Sequence, residues 1–102
     1  MATTAQLEQQ LLLAAVRSDM FSIMHIVNAL TVEQKESISL QVFDEVLLSI
    51  THYMEVDPIV CYGTLLTFMR TVGRHLSMNS VITALEIIPR KGQAPEQNQR
   101  VS

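Results

Sequence analysis

A chain of 102 residues, 48% hydrophobic and 17% charged, has the composition of one small folded domain and not of a disordered segment. Only 3 Gly, 3 Pro and 5% aromatic residues, among many Leu, Ala, Gln, Glu and Met, favour helices over sheets. The net charge of −3 excludes a protein that coats nucleic acid by bulk positive charge, so any such contact must be local.

Thr3 or Thr4 can cap a first helix with Leu7, Leu11, Ala14 and Ala15 along one side. Ser18 and Asp19 offer a competing cap, but the apolar pattern is read as one continuous helix over about 5–29. Its second half, Met20 to Leu30, is apolar on nearly every side, which calls for burial by other helices or by a second copy of the chain. A helix of that length would run about 37 Å, more than a compact monomer of this size needs, and favours a dimer.

Thr31 with Gln34 three residues later forms a capping box, and a second helix is expected over about 32–54. Val42, Phe43, Val46, Leu47, Ile50, Tyr53 and Met54 make its inner face, with Gln41, Asp44, Glu45, His52 and Glu55 outside. Asp57-Pro58 is an N-cap followed by a favoured first-turn proline, which starts a third helix over about 58–76. There Cys61, Leu65, Phe68, Met69, Val72 and Leu76 share one side, and Gly63, Thr67, Arg70, Thr71, Arg74 and Ser77 the other. A short last helix, about 80–88, is ended by Pro89 and should pack as a lid. Residues 89–102 have no apolar periodicity and read as a flexible tail, which leaves 1–88 as the single domain. The expected fold is therefore all-α, three to four helices in an antiparallel bundle completed by homodimerisation.

Cys61 is the one cysteine, so an internal disulfide is excluded and a reducing, cytoplasmic compartment fits. The start MATTAQLEQQ lacks the basic region of a signal peptide, and the Met20 to Val32 run is too short to span a bilayer, so no membrane insertion is expected. His25, His52 and Cys61 belong to no close ligand pair, and neither a metal nor another cofactor is expected. With no Gly-rich phosphate loop, nucleophile elbow or HExxH motif, the chain does not read as an enzyme. The spaced methionines read as core filler, with a peptide groove as the alternative.

One feature stands apart. No Asp or Glu occurs between Pro58 and Leu85, although the chain has 10 acidic residues. Arg70 and Arg74, one helical turn apart, therefore have no acidic neighbour on their own helix. Such a face is either an ordinary solvated surface or a contact for a phosphate backbone.

The order of Thr71-Val72-Gly73-Arg74, then Ser80-Val81-Ile82-Thr83-Ala84-Leu85-Glu86, then Gly92-Gln93-Ala94-Pro95-Glu96 resembles the small RNA-silencing suppressors of insect nodaviruses. That family has a Thr-Val-Ser-Arg run on a long helix, a short Ser-Val-Val-Ala-x-Leu-Glu helix and a Lys-Ala-Pro-Glu tail. The resemblance covers about a third of the chain. It implies an all-helical homodimer that lies along double-stranded RNA and shields it from Dicer and from loading into the silencing complex. It further implies that Arg74 contacts phosphate with Thr71 beside it, and leaves open direct contact with a Dicer-like host protein. Arg70, Thr67 and Ser77 join the expected RNA-binding set from the helical wheel alone. The lysines that the family carries on this helix are replaced here by Thr64 and Thr67. The rival expectation is a helical adaptor that docks on a protein partner through the apolar segment 20–30.

Overall fold

The computed structural model describes residues 3–88, and every regular element within them is helical. Six α-helices run in order: α1 Thr4–Val16, α2 Met20–Ala29, α3 Val32–Ser37, α4 Leu40–His52, α5 Pro58–Val72 and α6 over 78–88. Short 3-10 turns follow α4 at Tyr53–Glu55 and α5 at Gly73–His75. The all-helical expectation holds, but the count is six among the described residues. The expected tail lies outside them.

Two of the expected helices are divided, each at a serine. The continuous helix over 5–29 breaks because Ser18 takes a left-handed conformation at φ 56, and Asp19 then caps α2. The Asp19 carboxylate accepts from the Ser22 backbone N–H at 3.1 Å and from its hydroxyl at 2.7 Å. The hydroxyl contact and the Ser22 N–H hold its pKa below the ordinary carboxylate value. The helix over 32–54 breaks at Ile38, which is extended and buried, and Ser39 then caps α4 by accepting from Gln41 N–H at 3.3 Å. In both places a short polar side chain satisfies orphan N–H groups, so the start of a new helix costs little. The third helix ends in α-form at Val72, short of residue 76, and the last begins at 78, two residues earlier than expected.

The break at Ser18 changes the architecture. Helices of 13 and 10 residues run only about 20 and 15 Å, and α2 can fold back beside α1. α1 packs against α2 and α4, and α5 packs against the same two, so the four long helices close a ring within one chain. No second copy is needed to complete this bundle, and the length of the first helix no longer favours one.

The core has the composition the periodicity announced. Leu7, Leu11 and Ala14 of α1, Met20, Ile23 and Val27 of α2, and Val42, Phe43, Val46, Leu47 and Ile50 of α4 are buried together. Phe43 and Phe68 meet edge to face with ring centroids 6.3 Å apart, which joins α4 to α5 at the centre. The capping box Thr31–Gln34 forms as the sequence indicates, Thr3 is the residue that caps α1 and Gln6 completes a second box with it, and Asp57 accepts from Ile59 and Val60 N–H to start α5. Glu8 accepts from Ser39 N–H at 2.7 Å and Ser49 donates to Ala15 C=O at 2.7 Å, which ties α1 to α4 at both ends. α6 covers the open side of α4 and α5, where Ala84 and Ile88 are buried beside Leu47, Leu65 and Met69.

Segment 20–30 is largely consumed by this core. Met20, Ile23, Val27 and Leu30 are buried, and Phe21 is the large apolar side chain left outside, 81% exposed. Among the described residues no helix is long and apolar enough to cross a membrane, and no group of three or more His, Cys, Asp or Glu side chains is placed to hold a metal ion.

Candidate functional site

α5 buries a slightly different stripe from the one its helical wheel suggests. Cys61, Thr64, Phe68 and Val72 are fully buried, while Leu65, Met69 and Leu76 lie half-buried at the margin. Thr64 therefore points into the core, and its hydroxyl has no hydrogen-bond partner there. Cys61 is equally buried, donates to Ile50 C=O at 3.1 Å, and burial pushes its thiol pKa up. Such a thiol is a packing group, not a nucleophile.

The outward face carries Ile59, Tyr62, Gly63 and Leu66 along its first half and then Arg70, with Arg74 in the turn beyond. At this second end α3 lies alongside, and a groove of about 370 Å³ opens between the two elements. Arg70, Thr71, Arg74 and His75 line one side, and Val32, Lys35 and Glu36 the other, with Met69 on the floor. Residues 3–88 contain four Lys or Arg side chains, namely Arg17, Lys35, Arg70 and Arg74, and three of the four line this groove. The same residues contain nine acids, of which Glu36 alone lines it. The side chains of Lys35, Arg70 and Arg74 have no hydrogen-bond or ion-pair partner among the described residues. The described residues thus gather three of their four cations at one place, with eleven N–H groups of the Lys ammonium and the outer guanidinium nitrogens free for an anion.

Of the five side chains expected to form a site, Arg70, Arg74 and Thr71 come together and two do not. Thr71 Oγ1 donates to Thr67 C=O at 2.7 Å, so it faces the groove as an acceptor. Thr67 is half-buried and does not line the groove. Ser77 is a structural cap. Its Oγ accepts from Ser80 N–H at 3.1 Å to start α6, and its own N–H donates to the Asp44 carboxylate at 3.3 Å. A phosphate there would meet a carboxylate.

Lys35 and Glu36 could not be found from the sequence of α5. They are about 35 residues away on a six-residue helix that buries nothing of its own, and only the tertiary position of α3 brings them across. The ring of His75 lies 6.1 Å from that of Phe43, which holds its end of the groove against the core.

The third piece of the nodaviral resemblance, Gly92 to Glu96, falls outside the described residues, whereas the Thr71 to Arg74 run ends at this groove and the Ser80 to Glu86 run forms α6. No protein-family model, curated protein or solved structure matches the chain.

Proposed function

We propose that the chain binds double-stranded RNA without sequence preference, through the groove of Lys35, Arg70 and Arg74, and acts by shielding the duplex and not by catalysis. The observation that carries this reading is the gathering of three of the four cations among the described residues, which hold nine acids, into one groove. A-form RNA hides its base edges in a deep, narrow groove, so a protein that accepts any duplex must hold phosphates and 2′-hydroxyls. In this reading the protein is a viral suppressor of host RNA silencing that keeps the duplex from Dicer and from the silencing complex, as the nodaviral resemblance implies.

The proposed protein works as a homodimer. The exposed stripe of Ile59, Tyr62 and Leu66 on α5 is apolar where a solvated helix would be charged, and a side chain at Gly63 would meet nothing within 4 Å. Two α5 helices crossing antiparallel at Gly63 would set the two Arg70 side chains about 20 Å apart along the axis. Two cationic grooves on one duplex also raise the apparent affinity above that of either alone.

A gel shift with a plain RNA duplex tests the reading. Wild type is expected to bind at low salt, with affinity falling steeply as salt rises, and Arg74→Ala is expected to weaken binding for every duplex sequence alike and flatten the salt slope by about one counterion. Absence of wild-type binding at low salt ends the hypothesis. Equal binding by Arg74→Ala removes the groove as its site.

A further inference from the structure

We infer that the α3–α5 groove receives the 5′-phosphorylated end of an RNA strand, with the terminal phosphate on Lys35, Arg70 and Arg74 and the end nucleoside against Val32 and Met69. This rests on the RNA-binding reading above and narrows the part of the RNA that is held.

Shape is the first reason. A duplex is a broad convex rod, and the phosphates along its side are best met by cations on a flat or projecting face. Here the cations line a concavity of about 370 Å³, at the small end of the range for sites that enclose a small molecule. The side of a rod can lie across its cations without filling it, whereas a strand terminus can enter and fill it.

Charge is the second reason. A terminal phosphate monoester carries nearly two negative charges and three free oxygens, against one charge and two oxygens for each internal phosphodiester. Convergence of three unpaired cations from two elements matches the denser anion, and bidentate guanidinium contacts favour it further.

The lining supplies the third. Val32 is 64% exposed and Met69 is half-buried, so the groove has an apolar wall and floor beside its cations. An internal phosphate brings nothing apolar to cover them, while an end nucleotide brings a base or ribose. Glu36 on the same wall opposes an anion and sets a limit on its affinity.

Fluorescence anisotropy with three blunt RNA duplexes of one sequence decides the matter: one with 5′-phosphates, one with 5′-hydroxyls, and one with both ends closed by loops. Wild type is expected to bind the phosphorylated duplex about tenfold more tightly than either other, the scale of one lost charge-assisted contact. Lys35→Met keeps the apolar stem and is expected to bring the three within about twofold, Lys35→Arg to restore the preference, and Glu36→Gln to tighten the phosphorylated duplex selectively. Circular dichroism checks that each variant is folded, and where Lys35→Met is not, Glu36→Gln decides, since failure to tighten the phosphorylated duplex selectively overturns the groove as the site. Equal wild-type binding to all three duplexes overturns the end-binding inference and leaves the RNA reading intact. Binding to none overturns both. A preference that survives Lys35→Met overturns the groove as its cause. Competition by a nucleoside 5′-monophosphate at the affinity of the phosphorylated duplex would mark a nucleotide site and overturn the inference too.

Discussion

Thr51 and Thr64 are both fully buried threonines on helices, but only one has a partner for its hydroxyl. Thr51 Oγ1 donates to Leu48 C=O at 2.8 Å, whereas Thr64 Oγ1 makes no hydrogen bond. Replacing each by valine exchanges a hydroxyl for a methyl of nearly the same volume and leaves helix propensity almost unchanged. At Thr64 the change removes a desolvation penalty of about 1–3 kcal/mol and adds roughly 0.8 kcal/mol of apolar burial. Some of that is offset by residual polar contacts of a breathing interior, so a net stabilisation of about 1–2 kcal/mol is expected. For a domain of this size it corresponds to a rise of roughly 5–10 °C in Tm. At Thr51 a hydrogen bond of about 0.5–1.5 kcal/mol is lost against the same methyl gain, leaving a change between a gain of about 0.3 and a loss of about 0.7 kcal/mol. Thermal melts followed by circular dichroism, with urea titrations to check that the m-value is constant, measure both. A Thr64→Val protein that melts at or below wild type, or that gains no more than Thr51→Val, would refute the reasoning. Thr64 would then face water or a partner, and α5 would be rotated away from the orientation that turns Arg70 outward.

Three further outcomes follow from local features. Asp19 has a folded-state pKa held below its ordinary value of 3.8 by Ser22, so its contribution to stability is present above that pH and is lost as pH falls through the lower folded value; acid titration of Asp19→Asn should show a smaller loss over this window than wild type. Cys61 should resist a thiol reagent in the native state, where it is buried and its thiolate disfavoured, and react at the rate of unfolding as urea is added; rapid native labelling would contradict its burial. Gly63→Ala replaces an exposed mid-helix glycine at ordinary helical φ with nothing of its own chain near the new Cβ. Urea unfolding of the dissociated protomer at low concentration should therefore show a gain of about 0.5–1 kcal/mol, while a dimer crossing at Gly63 should weaken.

The interior of each helix was legible from the sequence because it depends on neighbours three and four residues away. The stripe from Val42 to Ile50, the cap of the first helix and the box at Thr31 involve contacts within one or two turns, and they form as the pattern states. Helix breaks were less legible. Ser18–Asp19 offers both a cap and a continuation, and the choice depends on whether α2 gains more from packing on α1 and α5 than the left-handed Ser18 costs. That balance belongs to tertiary packing, and it decided that the bundle closes within one chain.

The candidate site divides in the same way. The acid-free run from Pro58 to Leu85 identified Arg70 and Arg74 by sequence alone, since it is a property of one helix. The sequence could not show that Thr64 turns inward, that Ser77 is occupied as a cap, or that Lys35 and Glu36 stand across from the arginines. A helical wheel fixes angles about one axis and carries no information on which neighbour lies at each angle. The amino-acid sequence by itself determined an all-helical domain with an unpaired arginine pair, and only the tertiary placement of α3 across from the end of α5 decided that the pair belongs to a groove of three cations.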